Sequence, residues 1–81
     1  MSLYVIIEKV YENEKQVVYN FGPSPNSFEK LVINKETGEI NRLETSVNNP
    51  NYYYLKAVAK LNRHIKSNPS DQYPDKLIYA S

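Results

Sequence analysis

Residues 50–67 read PNYYYLKAVAKLNRHIKS, and this stretch decides the fold of the 81-residue chain. Within it, the larger apolar side chains recur at spacings of four, three and four residues, which is the period of one face of an α-helix. They are Tyr54, Val58, Leu61 and Ile65, with Ala57 beside them. The spacing predicts one amphipathic helix over about residues 50–67, with this stripe facing the core.

Two Asn-Pro pairs mark the ends of the predicted helix. Asn49 can cap the first turn, and Pro50 suits the first helical position because its missing N–H would have no helical partner there. After the helix, Asn68 tolerates left-handed backbone dihedrals, and Pro69 cannot continue the hydrogen-bond ladder. We therefore expect a helix that begins and ends sharply.

Strand-like segments fill the chain before the helix, because branched and aromatic residues dominate there and turn residues interrupt them. The predicted strands cover about residues 3–10, 16–21, 28–34 and 39–44. The connection from Gly22 to Ser27 contains two prolines and is predicted to be irregular. Between the last two strands, Asn34 opens a tight turn, and Gly38 supplies the residue with positive φ that closes it.

These patterns predict a single α+β domain, in which one C-terminal helix packs on a four-stranded antiparallel β-meander and an extended tail follows over residues 69–81. The apolar patch of the tail, residues 77–79, either returns to a sheet edge or packs under the helix. One helix covers only one face of a sheet, so we expect Tyr4, Ile6 and Val10 on the uncovered face. Unless the tail covers it, that apolar surface predicts a protein partner or a homodimer, through this face or an edge strand.

The helix carries four basic and no acidic side chains. At 100° per residue, Lys56, Lys60 and Arg63 lie close together, opposite the apolar stripe, and form what we call the basic ridge. Such a ridge is typical of the solvated face of a surface helix, whose cations favour its C-terminal half. It is also the footprint expected for nucleic acid or an acidic protein surface. Tyr52 and Tyr53 lie outside the centre of the stripe, where exposed tyrosine suits a partner surface.

Few residues of the chain suggest catalytic or metal chemistry. There is no cysteine and one histidine, so we expect no metal site and no cofactor. The two glycines are isolated from each other, so no glycine-rich phosphate loop is predicted. His64 could act as a general base, but its place near the end of the helix favours an interaction with the last turn. Seven glutamates are spread over strands and turns, and the sequence leaves open whether two of them meet.

No apolar run is long enough for a secretory signal or a membrane span, so we expect a cytoplasmic protein without membrane contact. The missing catalytic motifs, the exposed tyrosines and the uneven charge favour a small non-enzymatic protein-interaction module of the inhibitor, immunity or adaptor type. The alternative is a weak nucleic-acid binder through the basic ridge, whose few charges predict salt-sensitive binding. A third hypothesis is a small enzyme subunit whose site forms between chains.

Overall fold

The computed structural model describes residues 4–43 and 51–80, which form an antiparallel sheet and one helix. The elements are β1 (Tyr4–Glu12), β2 (Gln16–Gly22), a 3-10 turn (Pro25–Ser27), β3 (Glu29–Asn34), β4 (Ile40–Arg42), α1 (Asn51–Ser67) and β5 (Lys76–Ala80). The α+β class is confirmed, whereas the prediction of four strands was wrong because the tail supplies a fifth. The predicted helix cap at Asn49 and Pro50, and the end of the predicted fourth strand, lie outside the described residues.

The strand order in the sheet is β4-β3-β2-β1-β5. The first four strands form the predicted meander, in which each strand pairs with the next along the chain. The chain then crosses the sheet as α1 and returns, so that β5 pairs antiparallel with β1, with Ile6 opposite Ile78 and Val5 opposite Tyr79. Of the two arrangements left open for the tail, the return to a sheet edge is the one found.

The core lies between α1 and the sheet face that α1 covers. Its fully buried apolar side chains are Val5, Ile7, Val17, Tyr19, Phe21, Leu31, Ile33, Ala57 and Leu61. The helix lies across β5, β1 and β2, and its buried centre consists of Ala57 and Leu61. Tyr54 and Ile65 pack partly against this core, as predicted, but Val58 is only half-buried. The predicted stripe was therefore displaced, because the small Ala57 faces the sheet in place of Val58.

The β3–β4 turn follows the predicted geometry. Gly38 has a φ of 79°, and its N–H donates to the carbonyl oxygen of Asn34 over 2.7 Å. The side-chain Oδ1 of Asn34 accepts hydrogen bonds from the backbone N–H groups of Glu36 and Thr37. An Asn at the start of the turn and a Gly at its end are thus both required by the local backbone.

The end of α1 is held by hydrogen bonds of Asn68 and His64. The backbone N–H and the side-chain amide of Asn68 both contact the carbonyl oxygen of His64, at 2.9 and 3.1 Å. His64 Nε2 lies 2.8 Å from the carbonyl oxygen of Asp71, so the ring joins the helix to the loop that follows. Among the described residues, no non-glycine residue has a positive φ. The left-handed conformation suggested for Asn68 was therefore wrong, since its amide satisfies the helix end instead.

Candidate interaction surface

The sheet face that α1 does not cover, which we call the open face, carries an apolar row at the β1–β5 side. Ile6 is half-buried and lies opposite Ile78 on one side and Gly22 on the other. Tyr4 is 47% exposed, Ile78 is 39% exposed, and Tyr4 pairs with Ala80. These side chains alternate with buried Val5 and Ile7, which face the core. Two of the predicted sheet-face residues, Tyr4 and Ile6, thus belong to one exposed cluster.

Val10 lies at a β-bulge of β1, four residues beyond Ile6. The register passes from Lys9 opposite Tyr19 to Tyr11 opposite Val18, so Val10 has no partner on β2. Its side chain is 49% exposed. Val10 was predicted on the same face as Tyr4, and the bulge places it at the end of the regular β1–β2 register. Tyr11 is the residue that pairs with Val18 of β2 beyond the bulge.

Strand β5 forms one edge of the described sheet. The N–H of Lys9 donates to the carbonyl oxygen of Asp75 over 2.8 Å, which identifies this pair as one of the hydrogen-bonded pairs of the ladder. Hydrogen-bonded pairs alternate along an antiparallel ladder, so Leu77 and Tyr79 bond to β1. The backbone N–H and C=O groups of the alternate residues, Lys76, Ile78 and Ala80, therefore point outward from the sheet.

The basic ridge lies along the side of α1 that faces β5. Lys56 Nζ is 5.6 Å from the centre of the Tyr79 ring. Lys60 and Arg63 line a cavity of about 150 Å³ between α1 and β5, together with Ala59, Tyr79 and Ala80. Lys56 and Lys60 are half-buried, and Arg63 is exposed. The prediction that placed the ridge opposite the core was wrong, because a core centred on Ala57 rotates the helix by about 50° at 100° per residue.

The two predicted tyrosines continue the ridge toward the start of α1. Tyr52 is 44% exposed, and its ring centre lies 4.6 Å from that of Tyr53. Tyr53 is half-buried and packs partly against the core. Residues three or four positions apart are neighbours on a helix surface, so Tyr52 lies next to Lys56. The outermost side of α1 carries Leu55 instead, which is 61% exposed and was not singled out from the sequence.

An ion-pair cluster lies around Glu12, at the end of β1 that is far from Tyr4. The two carboxylate oxygens of Glu12 each lie 2.6 Å from a lysine, Lys9 on one side and Lys35 on the other. Lys9 also lies 3.5 Å from Asp75, and Lys35 Nζ lies 5.2 Å from the centre of the Tyr73 ring. Hydrogen bonds from Lys35 and Lys9 lower the pKa of Glu12. These paired charges connect β1 to the β3–β4 turn and to the loop after α1. The cluster therefore has a structural role.

A second ion pair is buried at the β3–β4 side of the sheet. Glu29 is 4% exposed, and its Oε1 accepts hydrogen bonds from Nε and Nη2 of Arg42 at 2.9 and 2.7 Å. The guanidinium lies 5.7 Å from the centre of the Tyr54 ring, and the Tyr54 hydroxyl contacts the carbonyl oxygen of Ile40. Burial raises the pKa of Tyr54. The clustered Glu12 and the buried Glu29 thus both contact cationic side chains, as is typical of structural ion pairs.

The described residues contain no group of three His, Cys, Asp or Glu side chains placed to bind a metal ion. No helix within the described ranges has the length and apolarity needed to cross a membrane. Comparisons of the chain with protein-family models, with curated proteins and with solved structures gave no match. The open face, the β5 edge and the basic ridge are therefore the candidate interaction surface of the described residues.

Proposed function

We propose that this chain is a small non-enzymatic protein-interaction module of the adaptor, inhibitor or immunity type. The observation that carries the proposal is the apolar row of the open face, which none of the described residues covers. Tyr4 and Ile78 are 47% and 39% exposed at neighbouring positions of two paired strands. Removing such side chains from water stabilises a complex by roughly 25 cal/mol for each Å² of apolar surface.

The edge that β5 forms in the described sheet adjoins this apolar row and adds polar groups to the same surface. The outward N–H and C=O groups of β5 can hydrogen-bond to a partner, as edge strands commonly do. A surface that combines an apolar row with unpaired backbone groups suits a protein partner, which supplies both kinds of contact. Either a different protein or a second copy of the chain fits this proposal through the open face.

The basic ridge supports nucleic-acid binding less well than protein binding. Two of its three cations are half-buried, and one lies close to the face of the Tyr79 ring. Affinity for nucleic acid rises with the number of phosphates that cations can neutralise, and this ridge offers few. The position of the ridge beside the β5 edge favours a partner that also pairs with the sheet.

The proposal is tested by site-specific photo-crosslinking in cells of the source organism. A benzophenone-bearing phenylalanine replaces Tyr4 on the open face in one variant and Glu36 in the exposed hairpin turn in the control. We expect a defined protein adduct from the Tyr4 position that the Glu36 position does not form. Light scattering at rising concentration shows whether the adduct partner is a second copy. Identical adducts from both positions, or no adduct at Tyr4 together with a monomeric mass, would contradict the proposal.

A further inference from the structure

We propose that the β5 edge accepts an added antiparallel strand from an acidic partner segment. In this segment, acidic side chains alternate with apolar ones, so that the acids face α1 and the apolar residues lie on the open face. This inference rests on the proposed function and names the chemistry of the partner. Three features of the described residues support it: the backbone of β5, the charge beside it and the apolar row next to it.

The backbone of β5 determines which partner atoms would pair with it. Lys76, Ile78 and Ala80 point their N–H and C=O groups away from β1, at an end of the described sheet. An added strand would lie about 4.8 Å from β5 and bond to these three residues. Every strand pair within the described sheet is antiparallel, and an antiparallel addition continues that arrangement.

The positive charge beside β5 determines which partner side chains are favoured on the face toward α1. A partner residue opposite Tyr79 shares the face of Tyr79, so its side chain enters the cavity of about 150 Å³ lined by Lys60 and Arg63. Lys56 lies over the Tyr79 ring at the same place. At the other end of the strand, Asp75, which lies just before β5, already occupies Lys9 at 3.5 Å. Acidic partner residues are therefore expected at the Tyr79 end of the strand.

The open face determines which side chains suit the alternate positions of the partner segment. A partner residue opposite Ile78 points to the same face as Ile78, Ile6 and Tyr4. An apolar residue there would extend the row Gly22–Ile6–Ile78 by one strand. Cross-strand apolar neighbours stabilise sheets, so the alternation of acidic and apolar residues matches both faces at once.

A second copy of the chain is a poorer occupant of this edge. Two β5 strands paired about a two-fold axis at Ile78 would keep both helices on one face of the joined sheet. The two basic ridges would then face each other across the junction, and neither helix carries an acidic residue to compensate. Like charges in such an arrangement oppose association, whereas an acidic segment is attracted.

The first test measures binding of a fluorescein-labelled octapeptide in which Glu alternates with Val, by fluorescence anisotropy at low ionic strength. We expect saturable binding that weakens with added salt. Methylation of the Val nitrogens should abolish binding, because these N–H groups would pair with β5, whereas methylation of the Glu nitrogens should preserve it. A peptide of alternating Lys and Val is expected not to bind.

The second test changes the protein. Ile78→Pro removes an N–H that points outward, which an edge strand tolerates, and Arg63→Glu reverses one charge of the basic ridge. Each should weaken binding of the Glu-Val peptide about tenfold or more, equivalent to 1.4 kcal/mol. Lys66→Glu is the matched control, since it makes the same charge change on an exposed site of α1 away from β5 and should leave affinity unchanged. Circular dichroism and thermal melts verify that each variant folds.

Equal effects of Val and Glu methylation, or equal binding of the Lys-Val peptide, would overturn the inference. Tighter binding of a single-stranded DNA oligomer that displaces the peptide would also overturn it and assign the basic ridge to nucleic acid.

The interaction function and strand addition at β5 can fail separately. A Tyr4 adduct in cells without any peptide binding would retain the interaction function and overturn strand addition. Peptide binding with the expected methylation pattern, together with no Tyr4 adduct and a monomeric mass, would support strand addition at β5 and contradict a partner contact at Tyr4.

Discussion

At the scale of single residues, Gly38 shows how a local sequence pattern determines a local conformation. Its φ of 79° lies in the left-handed region, and an added Cβ would meet no atom within 4 Å. A substitution there would therefore act through backbone strain alone, without a steric clash. The turn could be predicted because the residues that form it lie within five positions of one another.

We expect Gly38→Val to destabilise the fold by about 1–2 kcal/mol, since a β-branched residue resists the left-handed region. The measurement is a thermal melt, in which a loss of this size lowers Tm by roughly 4–8 °C per kcal/mol for a domain of this length. Gly38→Asn is the control and should cost less, because asparagine tolerates positive φ. An equal loss in both variants would contradict this account of the turn.

At the scale of elements, α1 was predicted correctly as a helix and incorrectly in its rotation. Spacings of four, three and four residues through Val58 and of three, four and four through Ala57 both fit one face of an α-helix. The sheet favours Ala57, which is fully buried beside Leu61, because a small side chain lets the helix approach the strands closely. The same rotation moves the basic ridge from the outer side of α1 to the side that faces β5.

The rotation of α1 predicts outcomes of different size for enlarging two neighbouring residues. Ala57→Leu should cost about 1–3 kcal/mol, because it overpacks a fully buried position. Val58→Leu should change the free energy of unfolding by no more than about 0.5 kcal/mol, because the side chain at position 58 is half-buried at the edge of the core. Urea denaturation of both variants measures the difference. A larger loss from Val58→Leu than from Ala57→Leu would contradict this rotation and support a stripe through Val58.

At the scale of the whole molecule, the Glu12 cluster joins parts that are distant in sequence. Glu12 contacts Lys35, 23 residues away, and Lys9 also contacts Asp75. Nearby, the buried hydroxyl of Tyr19 donates to the carbonyl oxygen of Pro74 over 2.7 Å, and burial raises the pKa of Tyr19. These contacts fasten the β3–β4 turn to β1, and the loop before β5 to both β1 and β2.

The pKa of Glu12 makes this cluster sensitive to acid. Its folded-state pKa lies below the ordinary value of 4.5, owing to hydrogen bonds from Lys35 and then from Lys9. The ion pairs therefore stabilise the fold fully above the unfolded-state pKa, and this stabilisation is lost as the pH falls through the folded-state pKa. Urea midpoints should drop between neutral pH and about pH 3. Glu12→Gln should show a smaller drop, whereas Glu36→Gln in the exposed turn should follow the unchanged protein.

The sequence by itself determined the class of each major element and the tight turn at Gly38, because propensity, periodicity and turn chemistry act over a few neighbouring residues. It also identified Tyr4, Ile6 and the basic ridge as residues of interest. Only the tertiary structure decided that residues 76–80 pair with β1, that a bulge leaves Val10 without a partner on β2 and that the ridge lies beside β5. These features depend on contacts between residues far apart in the chain, and such contacts are settled by which strand edge remains open and by how α1 packs on the sheet.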